Sequence, residues 1–133
     1  MSLNTIREVT EITGITVNAL RYYDQKGVLH PTVRNPEGRK EWLYDDKAVR
    51  RAKKILLLRR IGIPVESLAL VIEKMDGMDE VILRTRLEEL REERALIDEQ
   101  ISVAGMLLLI DELSSDAEVK DELLDKTFER VYR

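Results

Sequence analysis

Apolar residues recur every three or four positions along most of the chain, and Gly and Pro interrupt that period at a few places. Ile6, Val9 and Ile12 mark one face of a short helix over residues 5–13, which Gly14 ends because glycine accepts φ > 0. Thr16 is a suitable N-cap for a second helix reaching about Lys26, stopped by Gly27. The period then lapses. Pro31, Pro36 and Gly38 set turns, and residues 41–44 read as extended, giving a small hairpin wing with a basic tip. Asp45 or Asp46 can cap a third helix over about 47–61 with Ala48, Ile55, Leu56 and Leu58 as its core face. Gly62 ends it, and Pro64 opens a fourth helix to about 74 with the stripe Val65, Leu68, Ala69 and Ile72. Asp76 and Gly77 form a turn and the expected domain boundary.

From residue 79 to about 113 there is no Pro and only one Gly, Gly105. Leu83, Leu87, Leu90, Arg94, Ile97, Ile101, Ala104, Leu108 and Asp111 follow one another at steps of four and three, and seven of these nine are apolar. That seam predicts a coiled coil, and a single helix cannot bury it, so a partner helix is required. Arg94 within the seam would fix register at a cost in stability. Residues 106–110 are apolar around most of the helix, more than a two-helix seam covers. Ser114, Ser115 and Asp116 break the chain. Residues 117–133 form a short acidic helix with Val119, Leu123, Leu124, Phe128, Val131 and Tyr132, expected to fold back over the apolar end of the coil. The expected organisation is an N-terminal domain over 1–77, a dimerisation helix over 78–113 and a C-terminal helical segment over 114–133.

The net charge of −4 at first argues against nucleic acid. Splitting the chain reverses that: residues 1–77 hold 14 Lys+Arg and 10 Asp+Glu, a net of +4, and residues 78–133 hold 8 and 16, a net of −8. A basic front and an acidic rear suit a DNA reader with a separate protein-facing module, although charge scatter on a helical protein would give the same split. There is no run of eighteen apolar residues and no basic leader with an apolar core, so neither a membrane helix nor a secretory signal is expected. The absence of Cys excludes disulfides and makes the cytoplasm the simplest location.

Two short helices joined by a tight turn form the unit that sets its second helix in the DNA major groove. Arg21 is the leading candidate contact, since a guanidinium can fork to guanine or grip phosphate. Thr16, Val17 and Asn18 stand at the helix N-terminus, where base edges are usually met, though they could equally cap or pack. Arg34, Arg39, Lys40 and Tyr44 belong to the wing and are expected to grip phosphates. His30 is the only histidine and reads as a surface loop residue without metal partners. No paired carboxylates, phosphate-cradling Gly loop or nucleophile triad is present, so an enzyme is not expected, nor any cofactor.

The run Arg21-Tyr22-Tyr23-Asp24, followed by Lys26-Gly27-Val28-Leu29, Pro31 and Arg34, resembles the start of the MerR family of bacterial transcription regulators. The order of parts over residues 4–112 is similar too: helix-turn-helix, wing, second helical pair, long helix. The resemblance implies a mainly α fold, namely a winged helix-turn-helix domain followed by a long coiled-coil dimerisation helix and a short C-terminal helix. It implies that one of Tyr22 and Tyr23 reaches the DNA backbone while the other packs, with Tyr22 the choice for DNA. It also implies that Arg59 and Arg60 contact flanking phosphate. The wing departs from the family's Gly-Tyr-Arg: here Gly38 is followed by Arg39, Lys40, Glu41, Trp42, Leu43 and Tyr44.

By the same resemblance the chain would act as a homodimer on a pseudo-palindromic promoter. It would bend and untwist an overlong spacer and so influence RNA polymerase indirectly, through the double-stranded DNA. Lack of Cys excludes thiolate metal and iron–sulfur sensing. A pocket where residues 106–110 meet residues 123–132 is the remaining place for a small apolar effector, against the plainer reading of that surface as dimer core. The rival functions are a DNA-architectural or excisionase-type protein, which the long coil disfavours, and a coiled-coil interaction protein, which would bind no DNA.

Overall fold

The computed structural model describes residues 2–34, 42–73, 80–113 and 115–133. The elements are β1 (Leu3–Thr5), α1 (Ile6–Thr13), α2 (Val17–Gln25), β2 (Val33–Arg34), β3 (Trp42–Asp45), α3 (Asp46–Arg60), α4 (Val65–Glu73), α5 (Glu80–Leu113) and α6 (Ala117–Tyr132). This is the mainly helical arrangement the sequence predicts. The chain divides into two compact units, Met1–Arg86 and Leu87–Arg133.

Helix boundaries in the first unit follow from side-chain caps. Thr5 accepts from the backbone N–H of Glu8 at 3.1 Å, and the Glu8 carboxylate accepts from Thr5 N–H at 2.9 Å, a reciprocal capping box. Gly14 ends α1 at φ 82° and returns its N–H to Thr10 O at 2.7 Å. Thr16 caps α2 through Ala19 N–H at 3.0 Å, and Asp45 caps α3 through Ala48 N–H at 2.8 Å. Each such cap stabilises its helix by about 1 kcal/mol.

The three strands form one sheet in the order β1-β3-β2, all pairs antiparallel. Strand β1 is an addition to the sequence reading. Its three residues are too few to show alternation, and only the partner strand reveals it. Beneath the sheet lies a single core in which Val9, Leu20, Tyr44, Ala52, Ile55 and Leu68 are fully buried. On α3 the buried positions are Val49, Ala52, Ile55 and Leu58. Leu56, expected inside, is 36% exposed, because the inward stripe advances by threes and passes it. Ile12 likewise lies outside, at 49%. On α4 the inward residues are Leu68, Val71 and Ile72.

The first unit also takes in the start of α5. Ile82 and Leu83 pack on the core, and Arg86 Nε donates to Ile61 O at the turn after α3. Gly62 sits in that turn at φ 92°, and a Cβ there would come within 2.7 Å of Arg86 Nη2. The compact unit therefore runs past the boundary expected at Asp76 and Gly77, which itself lies outside the described residues. Leu83, expected in the dimer seam, is half-buried and packs on this core.

Helix α5 has 34 residues, about 51 Å at a rise of 1.5 Å per residue. In the second unit, Lys120 Nζ lies 3.3 Å from Asp111 Oδ1. The positions losing exposure are Val103, Met106 and Ile110 on α5 and Lys120, Leu123, Thr127 and Val131 on α6. That one-sided spacing is the mark of two helices lying against each other. Phe128 and Tyr132 stack at 4.9 Å on the outer side of α6.

Tyr44 is the largest fully buried side chain, and its hydroxyl has no hydrogen-bond partner among the described residues. Burial pushes that hydroxyl up to about 12 from 10.0, with the Asp24 carboxylate adding and Arg34 opposing. The folded state thus holds the proton more tightly than the unfolded chain. The associated stability is present below pH 10 and is lost as pH rises from 10 towards 12. Tyr44→Phe is expected to leave the melting temperature unchanged or raised at neutral pH, since it removes an unpaired buried polar atom. It should also flatten the alkaline fall in stability. Tyr44→Ala should cost about 3–5 kcal/mol. Thermal melts of the three proteins between neutral and alkaline pH check all of this.

Candidate nucleic-acid interface

Helix α2 has nine residues, of which only Leu20 is fully buried. Tyr23 packs against the core from the same side. The opposite side is therefore open. Asn18, Arg21, Tyr22 and Gln25 are all exposed there, at the three- and four-residue steps that place them on one face. With Asp24 and Trp42 they line a shallow groove between α2 and β3. Tyr22 is 41% exposed and its ring lies 5.7 Å from Lys26 Nζ. The two adjacent tyrosines thus divide between surface and core. Val17 is half-buried, and Thr16 is exposed with its hydroxyl oxygen already accepting from Ala19. Gln25 and Lys26 complete this face and were not singled out by sequence; the signal was their four-residue step from Arg21 and Tyr22.

Asp24 joins this helix to the wing. Its carboxylate accepts two bonds from Arg34, Nη1 to Oδ2 at 2.9 Å and Nη2 to Oδ1 at 2.6 Å. His30 Nδ1 stands 2.7 Å from the same Oδ1. The Arg34 guanidinium also lies over the Trp42 ring, 4.7 Å from its centroid. Helix and loop thus meet at Asp24, and Arg34 carries the link on to both wing strands. The Arg34 hydrogen bonds hold the Asp24 carboxyl below its ordinary value of 3.8, against an opposing push from burial, and His30 adds to the lowering.

One wing assignment changes. Tyr44, expected to grip phosphate, is 0% exposed and faces the core: in the antiparallel pairing Asn4 lies opposite it, and the strand turns its ring inward. Arg34, also expected on phosphate, is held by Asp24 and lies over Trp42, linking helix and strand, with 47% of its side chain still exposed. Arg39 and Lys40 lie outside the described residues. Arg59 donates from Nη1 to Ile63 O at 2.9 Å and so closes the end of α3, while Arg60 is exposed beside it.

Trp42 is the chain's only tryptophan, so its emission reports the link between helix and strand. The folded Asp24 has a lowered value, so the stability it contributes is present above pH 3.8 and disappears as pH falls through the folded value. Wild-type emission is expected to stay constant down to pH 3.8 and to shift only below it. Asp24→Asn should show the shifted emission already at neutral pH. An acid titration followed by tryptophan fluorescence, with circular dichroism to track unfolding, tests this.

Comparison with known proteins supports the same arrangement. Residues 4–74 match the family model described as MerR HTH family regulatory protein. The chain is 25% identical over 104 residues to the HTH-type transcriptional activator mta of Bacillus subtilis, covering 78% of this chain and 40% of that protein. It is 33% identical over 110 residues to the nodulation protein NolA of Bradyrhizobium elkanii, covering 81% and 44%. The chain spans about half, or less, of the length of these curated relatives. Among solved structures, the N-terminal part of the Bacillus subtilis multidrug transporter activator superposes with a TM-score of 0.67 at 24% identity, over 80% of this chain and 98% of that one. A MerR-family regulator from Bacillus cereus gives 0.66 at 24%, over 97% and 99%. These two likenesses concern the fold. Helix-turn-helix, wing and second helical pair all fall within the matched residues, more than half of the chain, and the chain belongs to the MerR helix-turn-helix family of regulatory proteins.

Proposed function

We propose that this chain is a sequence-specific DNA-binding transcription regulator that works as a homodimer on a pseudo-palindromic promoter operator. The observation that carries the reading is the open face of α2, where Asn18, Arg21, Tyr22 and Gln25 stand exposed on a helix fixed from behind by Leu20 and Tyr23. In this reading α2 enters the major groove. Arg21 and Asn18 address base edges, and Tyr22 addresses a phosphate. Thr16 and Val17 lie at the leading end of the helix, against the DNA. Arg60, with Arg59 behind it and Arg39 and Lys40 of the wing, grips the flanking backbone.

Dimerisation rests on α5. Ile97, Ile101 and Leu108 are each more than half exposed, and Leu87 is nearly so. Leu90, Arg94 and Ala104 complete the seam, with Leu83, half-buried, at its start. Apolar side chains in such a row are stable in water only when a second helix covers them. Two units joined this way would present two copies of α2 to successive major grooves. Deforming the promoter spacer between them costs on the order of several kcal/mol, offset by backbone contacts on both sides. RNA polymerase would respond through the DNA. The exposed Leu107, Leu109 and Phe128 of the α5–α6 surface suit plain dimer core, with a small apolar effector as the alternative occupant.

Fluorescence-anisotropy titration of the promoter upstream of the coding sequence, against scrambled duplex at two salt concentrations, tests the reading. Selective, salt-sensitive binding is expected, weakened in Arg21→Ala by about 1–3 kcal/mol. No binding to any duplex at low salt would refute it. The double variant Ile97→Asp with Ile101→Asp is expected to sediment as a monomer with the first unit still folded, and to lose operator binding with it. A wild-type chain that is monomeric at all concentrations would refute the dimer.

A further inference from the structure

We propose that a second site lies on the first unit: a concave pocket in which the basic side of α3 meets the loop after α2 and the end of α4, shaped for a small phosphate-bearing ligand of nucleotide size. Its volume is about 700 Å³, within the range of small-molecule sites. Its lining shares no residue with the groove that carries Asn18, Arg21 and Tyr22.

The chemistry follows from the side chains. Lys47, Arg50, Arg51 and Lys54 all line the pocket, on three successive turns of α3. Lys47 and Arg50 are exposed and make no ion pair among the described residues. Arg51 is held in place, its Nε donating to Val28 O at 2.7 Å, with only 27% of its side chain exposed. The Val28 bond and the Glu73 carboxylate, 3.7 Å from Nη2, together fix the orientation of this guanidinium. Two carboxylates also line the pocket, and both are occupied: Asp45 caps α3, and Glu73 stands 3.7 Å from Arg51. Lys47 and Arg50 are thus two positive charges with no carboxylate partner among the described residues, which suits a dianion.

The floor decides the rest. Val28, Leu29, Ala48 and Ile72 lie among the lining residues; Val28, Leu29 and Ile72 are at most 5% exposed, so the apolar part of the wall is Ala48 with narrow strips of the other three. A bare inorganic anion would leave that surface unused. A planar base would cover it while its phosphates reach Lys47 and Arg50. The concave shape and the carboxylates at its edge disfavour a duplex backbone, which needs an open, uniformly basic surface.

The pocket wall from Gly27 to His30 is the segment that leaves α2, and His30 is a partner of Asp24. An occupant would therefore bias the junction between α2 and the wing. This last consequence rests on the DNA-binding reading; the site itself does not.

The test is isothermal titration of the full chain with ATP, GTP, pyrophosphate and adenosine, for wild type, Lys47→Glu with Arg50→Glu, and Arg21→Ala. Melting curves confirm that each variant is folded. Saturable binding of a nucleoside triphosphate, stronger than that of pyrophosphate or adenosine, is expected. It should weaken at least about tenfold in the charge-reversed variant, the factor that 1.4 kcal/mol represents, and persist in Arg21→Ala. No saturable binding of any phosphate-bearing probe at millimolar concentration overturns the proposal, as does equal binding by the charge-reversed variant. Pyrophosphate binding as tightly as the nucleotides overturns the assignment of size. If the charge-reversed variant loses DNA affinity and no probe binds wild type, the surface is a backbone contact instead. Failure of DNA binding alone, with nucleotide binding intact, would refute the regulator reading and leave this site standing.

Discussion

A helix of nine residues is close to the limit of what can persist in water, because nucleation costs more than its few internal hydrogen bonds return. Helix α2 is such a helix, and it must also leave one whole face uncovered. The surrounding structure supplies what the helix lacks. Thr16 takes up an N-terminal donor, Leu20 and Tyr23 anchor the inner face, and Gly27 turns the chain away at φ 74°. Asp24 then fixes its rotation against the wing through Arg34 and His30. The open face of α2 is held from behind by its cap, its two inner side chains and the Asp24 link.

The local half of this design was legible in the sequence. Caps and terminating glycines act over three or four residues, so Thr16, Gly14, Gly62 and Asp116 mark their boundaries without help from the fold. Relationships across distance were not legible. Arg34 meets Asp24 from ten residues away, and only the completed turn brings the two together. Tyr44 shows the same limit from the other side. Its place beside a basic hairpin pointed outward, whereas the pairing of β3 between β1 and β2 sets its ring inward. Leu83 fits the heptad as well as Leu87 does, and nothing in that spacing shows that it packs on the core of the first unit.

The two halves of the chain solve opposite problems of solvation. The first unit encloses a core of its own, although Leu57 and Leu70 among others stay exposed on its surface. The second leaves a row of leucines and isoleucines in water along α5 and an aromatic pair on α6. An isolated helix with that surface is incomplete as a structure. The asymmetry of charge follows the same division, since a basic surface suits a polyanion and an acidic one discourages it.

Two residues each belong to a strand and to a helix cap at once. Thr5 is the last residue of β1 and the cap of α1, and Asp45 is the last residue of β3 and the cap of α3. No linker separates sheet from helix at either place. Adding or deleting one residue there would turn the following helix by about 100° relative to its strand, given 3.6 residues per turn. The inward stripes of α1 and α3 would then miss the core together. Changes in chain length during evolution are therefore barred at these two junctions, while single substitutions on the outer faces of the same helices remain open.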